Sequence, residues 1–176
     1  MPLALYTFGI FRKPADDPAN EGFQQLNDPI LALADRCEGL IARSGYASDP
    51  GPPSWGAEVY PRFYEERGDG WSPATLSLWR DLESLFVFTY FGLHAAALKR
   101  GREWFDKPAW PPLVMWWHMD TAPPSWADAV VRHEHLHDHG PTPTAFNFKV
   151  PFDEAGRATR LEKARIEQLR RAGENF

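Results

Sequence analysis

Histidine, tyrosine and tryptophan recur at short intervals through the middle of the chain. They stand at Trp79, Tyr90, His94, Trp104, Trp116-Trp117-His118 and in the run Arg132-His133-Glu134-His135-Leu136-His137-Asp138-His139. An imidazole titrates near neutrality and can give or take a proton. His94 falls on an apolar stripe with Val87, Phe91, Leu98 and Phe105, the spacing of one helical face. Tyr90 lies one turn earlier on that helix. A histidine on an apolar face needs a partner, so His94 and Tyr90 read as a proton-moving pair beside a pocket. The competing reading is a core histidine bonded to Tyr90 or to a backbone carbonyl.

His118 shares a strand face with Val114 and Trp116, and could polarise a carbonyl or an enolate. It could equally be an edge histidine at a strand end. Arg43, on a face with Ile41 and Gly45, could clamp an anion or a carbonyl, or serve as a surface ion pair. Trp79, Trp104 and Trp116 would supply the flat apolar walls of such a cavity. In the histidine-rich run, His133 and His137 are one helical turn apart, as are His135 and His139. The two pairs point in different directions, and the metalloprotease order His-Glu-x-x-His fails at Leu136. His133 also continues the stripe Trp126, Ala129, Val130, so it reads as a core residue and no metal is assigned. Glycine-rich phosphate loops and a Gly-x-Ser-x-Gly elbow are absent from the sequence. Cys37, near a helix end, reads as packed, not reactive.

The elements that must hold these residues follow from pattern. Leu3 to Phe11 reads as a strand. Asp17-Pro18 starts a helix that pauses at Asn27-Asp28-Pro29, resumes over Ile30 to Cys37 and ends at Gly39. Leu40 to Tyr46 is a second strand. Residues 47–70, rich in glycine and proline, form a long connection, which is either functional or a variable surface insertion. Ala74 to Trp79 is a third strand, Asp81 to Phe105 a helix bent at Gly92, and Leu113 to Met119 a fourth strand. Pro124 opens another helix to about His137. Gly140 to Val150 is an extended arm, and Asp153 to Arg171 a charged helix with few apolar positions, read as a solvated tail or an oligomer contact. The expectation is one domain over residues 1–150 and a charged helical tail over 151–176. The order β-α-β-β-α-β is the ferredoxin-like one, an α+β fold with an antiparallel sheet and helices on one face. Two such sheets meeting in a homodimer would close a barrel and cover the other face.

Composition fits that scale. The chain has 176 residues, 43% hydrophobic and 24% charged, enough for one domain with a full core. Aromatics reach 14%, with 8 Trp and 12 Phe, which calls for a large core, a partner surface or an apolar pocket. A net charge of −5 disfavours nucleic acid and anionic membranes as partners. A single cysteine excludes an intramolecular disulfide and fits a reducing cytoplasm. The start of the chain lacks the basic region of a signal peptide, and no apolar stretch approaches membrane-spanning length.

Taken together, Leu76-Ser77-Leu78-Trp79, His94 followed by Gly101-Arg102-Glu103-Trp104-Phe105, Leu113 to Trp117, and the closing Gly140-Pro141-Thr142-Pro143-Thr144-Ala145-Phe146 resemble the family catalogued as domain of unknown function 3291, over about residues 3 to 150. That family is similar to the dimeric α+β barrels, which include antibiotic-biosynthesis monooxygenases. The resemblance implies a homodimer with a cavity between sheet and helices, and does not transfer a reaction. The family often has leucine where this chain has His133, and an aliphatic residue where it has His118.

Three functions remain open on these grounds. The first is an enzyme for a hydrophobic, aromatic or polyketide-like small molecule, without cofactor. His94 and Tyr90 would move a proton at the head of an oxygenation, isomerisation or cyclisation. The second is a haem protein with His94 or His118 as axial ligand. The third is a binding or dimerisation module whose aromatics only pack.

Overall fold

The computed structural model describes residues 1–173. The fold is α+β. Four strands, β1 (Leu3–Phe8), β2 (Leu40–Arg43), β3 (Ala74–Trp79) and β4 (Leu113–Trp117), form an antiparallel sheet in the order β2-β3-β1-β4. The α-helices are α1 (Glu21–Arg36), α2 (Leu82–Tyr90), α3 (Gly92–Trp104), α4 (Trp126–His139) and α5 (Lys163–Gly173).

Strand alternation sorts the apolar residues between two faces. Ala4, Tyr6 and Phe8 join Ala74, Leu76, Leu78, Val114 and Trp116 in one cluster. Leu3 and Leu5 join Trp79 and Met115 in the other. The second face is covered by Leu82 and Leu85 of α2 and by Phe146, Phe148 and Phe152 of the arm. The first is covered by Trp126, Ala129 and Leu136 of α4 and by Tyr46, Trp55, Tyr60, Phe63 and Tyr64 of the long connection after β2. The reason for bringing in a second copy was an open sheet face. Here the chain closes both faces itself.

Several elements depart from their sequence-based bounds. Pro29 does not interrupt α1. It lies on an exposed side, where the carbonyl that its missing N–H leaves without a helical partner is open to solvent. The expected single helix over 81–105 is two. Phe91 is extended (φ −128°, ψ 163°) and Gly92 takes φ +62°, a left-handed conformation suited to glycine. The arm pairs with β4 through Met115 and Phe146, which exchange N–H···O bonds of 2.8 and 2.9 Å and so cover that sheet edge. Helix α5 begins at Lys163, ten residues later than expected, and is not a free solvated tail. It packs on α2, with the Arg170 guanidinium 4.5 Å from the centre of the Phe91 ring and the Glu83 carboxylate accepting the Glu162 N–H at 2.9 Å. The last three residues assigned to the tail lie outside the described residues.

The connection over 47–72 leaves β2 through a close backbone approach. A Cβ on Gly45 would stand 1.7 Å from the Pro52 carbonyl oxygen, and the Gly45 N–H donates to the Pro53 carbonyl at 3.1 Å. Gly45→Ala should therefore force the two backbones apart and cost about 1–3 kcal/mol, the range for overpacking a tight site. A urea midpoint equal to that of the unsubstituted protein would show that this approach is not needed.

Candidate functional site

The polar groups that stand out lie on the α4 side of the sheet. Four buried side-chain atoms make no hydrogen bond to any described residue, and three of them share one aromatic cluster: Tyr6 Oη, Trp110 Nε1 and His133 Nδ1. Tyr6 points up from the central strand β1 and is fully buried, as is His133 from α4. Their rings meet edge to face at 5.4 Å. Phe8 touches both His133 (6.1 Å) and Trp110 (5.9 Å). Phe63, from the 47–72 segment, stacks on Trp110 at 5.4 Å and meets His133 edge-on at 5.8 Å.

Helix α4 aims His133 through its cap. Ser125 accepts the Asp128 N–H, and the Asp128 carboxylate accepts the Ser125 N–H, a capping box that fixes the first turn. Trp126, Ala129, His133 and Leu136 then share the buried side. His133 Nε2 lies 2.6 Å from the Pro111 carbonyl oxygen. A carbonyl only accepts, so the proton sits on Nε2 and Nδ1 presents a lone pair. Burial pushes the His133 pKa down and favours the neutral ring; burial likewise pushes the Tyr6 phenol far up and keeps it protonated. The cluster thus holds two unbonded donors, Tyr6 O–H and Trp110 N–H, and one unbonded acceptor, His133 Nδ1.

Around it, Tyr46 stacks on Trp126 at 5.9 Å and donates to the Ala74 carbonyl at 2.6 Å. Burial pushes its pKa up to about 12. Trp126 Nε1 donates to Ser54 Oγ at 3.3 Å. Tyr60 stacks on Tyr64 and its hydroxyl accepts the Ser72 N–H.

The residues singled out by sequence do not come together. His94 and Tyr90 are separated by the break at Phe91-Gly92, which removes the single helical stripe. His94 Nδ1 donates to the Thr89 carbonyl at 2.9 Å, and its ring packs on Phe88 at 5.0 Å. Burial lowers its pKa. Tyr90 is 43% exposed and packs against Phe86 and Phe148, whereas His94 packs on Phe88. Arg43 is a structural strap, holding Asp35 of α1 through two bonds of 2.7 and 2.9 Å, which lower the Asp35 pKa. His118 is buried at the strand end with Nε2 2.6 Å from the Ala122 carbonyl oxygen. Trp79 is buried on the opposite face, donating to Ser77 Oγ. Trp104 packs at the periphery with Phe23 and under Arg100. Among these candidates, Trp116 does belong to the core cluster that holds Tyr6, with the Arg132 guanidinium 5.1 Å above its ring.

Of the two histidines considered for a haem iron, His118 places Nε2 and His94 places Nδ1 against a backbone carbonyl, which leaves the opposite ring nitrogen of each as the one able to meet a metal. Two shallow concavities, of about 270 and 490 Å³, are lined by neither residue. Among the described residues no three His, Cys, Asp or Glu side chains converge as metal ligands, and no helix is long and apolar enough to cross a membrane.

Sequence reading missed Tyr6, Trp110 and Phe63. The available signal was Tyr6 itself, a hydroxyl-bearing residue facing inward with Ala4 and Phe8 on an apolar strand.

The family model described as "Domain of unknown function (DUF3291)" matches residues 2–164. No curated protein matches the sequence. Among solved structures, the chain is similar to Rv0793 from Mycobacterium tuberculosis, at 15% identity and a TM-score of 0.47, over 69% of this chain and 99% of that one.

The buried histidines make stability depend on pH. Both His133 and His94 have folded-state pKa values below the ordinary 6.5, so the unfolded chain binds more protons between the two values. Stability should be full above about pH 7 and fall as pH drops below about 6.5. His133→Leu should flatten part of that fall in urea titrations, leaving the His94 share. An unchanged slope would mean that His133 is not held neutral by burial.

Proposed function

This chain belongs to the family of domain of unknown function 3291, and from that premise we propose a small-molecule enzyme that binds a flat, hydrophobic aromatic substrate between the sheet and the 47–72 segment. Its chemistry begins with proton abstraction. The observation that carries this reading is the convergence of three buried, unbonded polar atoms in one aromatic cluster. Leaving such an atom unpaired costs about 1–3 kcal/mol. Most buried polar groups in native structures are paired, and those that are not call for an explanation such as a catalytic role or a bound water or ion.

In this reading His133 Nδ1 is the base. It takes a proton from a carbon or hydroxyl of the substrate, and the negative charge moves to the substrate oxygen. Tyr6 O–H and Trp110 N–H hold that oxygen, in the manner of an oxyanion site. The raised Tyr6 pKa keeps the donor protonated, and the lowered His133 pKa keeps the base free at neutral pH. Return of the proton to another atom completes an isomerisation. The same opening step serves a cyclisation, or an oxygenation in which molecular oxygen takes the carbanion's electron pair and a proton to give a hydroperoxide. These roles pass to Tyr6, His133 and Trp110 from the His94–Tyr90 pair, whose two rings the helix break separates.

The strand order β2-β3-β1-β4 supports a ferredoxin-like reading of the fold. The site needs no second copy of the chain, because α4 and the 47–72 segment wall it from within one protomer. A homodimer would then form through some other surface, with no part in the chemistry.

2-Tetralone tests the reaction directly, since it is an aromatic-fused ketone with an acidic C–H. The protein should speed deuterium uptake at its C1 position in D2O by about a hundredfold over an equal concentration of imidazole, the lower range for a positioned general base. His133→Leu should abolish the gain and Tyr6→Phe should reduce it. Uptake no faster than with imidazole sinks the proton-transfer reading. Equal calorimetric binding of 2-naphthol and naphthalene to the wild type would remove the polar site.

A further inference from the structure

The 47–72 segment does more than roof the cluster, because one of its side chains sits where a flat ligand would lie. Phe63 is only partly buried. Its ring is parallel to Trp110 (interplanar angle 5°) and meets His133 and His137 edge-on at 5.8 and 4.7 Å. It therefore occupies the space beside two of the three unbonded polar groups, yet a phenyl ring can bond to neither. It also lies at the rim, between those groups and solvent.

The neighbouring residue fastens it. Arg62 donates through Nη1 to Glu134 (3.3 Å) and Asp138 (3.0 Å), and through Nη2 to Asp138. Its backbone N–H donates to Glu134 at 2.7 Å. Both carboxylates lie on the exposed C-terminal half of α4, one and five residues beyond His133. The guanidinium also covers the Phe63 ring at 4.9 Å. Latch and plug are thus adjacent residues, and the latch closes on the helix that carries the base.

We propose that Phe63 is the resident occupant of the site and Arg62 its latch: an aromatic ligand enters when Arg62 leaves Glu134 and Asp138 and the Phe63 ring swings out from beside Trp110. This rests on the reading of the Tyr6–Trp110–His133 cluster as a ligand site. It adds that the free protein is held closed by its own side chain, with the opening set by an ion pair exposed to water. Ligand of the right shape replaces the phenyl ring with groups that bond to the waiting atoms of Trp110 and His133, so bound ligand holds the segment open.

Two measurements separate this proposal from the reading beneath it. The first needs no ligand. The Tyr64 N–H bonds to the Pro61 carbonyl at 2.9 Å, within the latched turn, and reports opening by hydrogen exchange. Arg62→Ala, and independently Glu134→Gln with Asp138→Asn, should raise exchange at Tyr64 at least about threefold, the scale of a few exposed charge-assisted bonds. Amides of α4 around Ala129 should stay unchanged. The second follows 2-naphthol association by stopped flow, which the same variants should speed by a similar factor. Unchanged exchange at Tyr64 overturns the latch whatever the probe does. Raised exchange with faster association supports latch and plug together. Raised exchange without any 2-naphthol binding, even by wild type after long incubation, overturns the gate because the cluster beneath it takes no ligand.

Discussion

The central strand β1 is buried on both faces and bonded on both edges, and the rest of the structure answers to that. Leu3, Ala4 and Tyr6 have no exposed surface, and Leu5 very little. Leu5 sits between Ser77 of β3 and Met115 of β4, so the backbone groups of the strand serve the two ladders. A strand of this kind requires a cover on each side of the sheet. One cover is α2 with the aromatic arm. The other is α4 with the 47–72 segment. The same constraint explains the unbonded Tyr6 hydroxyl. Pointing away from a sheet whose N–H and C=O groups are paired, it can only find a partner in the cover, and the groups packed over it there are aromatic rings.

What could be read from sequence were the features set by local chemistry. The third strand has the bounds expected of it, and the fourth begins where expected and stops two residues early at Trp117. The sorting of Val114 and Trp116 against Leu113, Met115 and Trp117 follows from two-residue alternation and is what the two clusters display. The arm after Gly140 was legible from its prolines. Features set by distant packing were not. The apolar stripe through Val87, Phe91 and His94 assumed a continuous helix, and a single glycine at φ +62° undid it. The covering role of residues 47–72 has no periodicity to announce it, because its aromatics reach the sheet from irregular backbone. Nor does any sequence pattern reveal that a buried atom lacks a partner.

The histidines show how little separates a structural role from a chemical one. His94, His118 and His133 each place one ring nitrogen against a carbonyl that the sheet ladder does not use, from Thr89, Ala122 and Pro111. Each bond fixes a tautomer and leaves the other nitrogen with a lone pair. What distinguishes His133 is its neighbourhood. It is fully buried, its free nitrogen is unbonded, and a phenol and an indole N–H with the same deficiency lie in the same cluster. The Arg43 guanidinium illustrates the converse. Its Nε and Nη2 donors both go to Asp35, which ties β2 to α1.

The two covers differ in how the polar groups beneath them are satisfied. The arm is tied by backbone bonds to β4, and Trp117 Nε1 donates to the Phe152 carbonyl at 2.8 Å, so the polar groups that anchor it there are paired. Lifting it would break bonds and expose apolar surface with nothing gained. The 47–72 cover closes over three polar atoms that it does not bond, each an unrelieved cost of about 1–3 kcal/mol while it stays shut. Lifting it lets water or a ligand meet those atoms and so returns part of what exposure of its aromatics loses. Its ties at Arg62 face solvent, where ion pairs contribute little. On the reading proposed above, this is the cover that would open to admit a ligand.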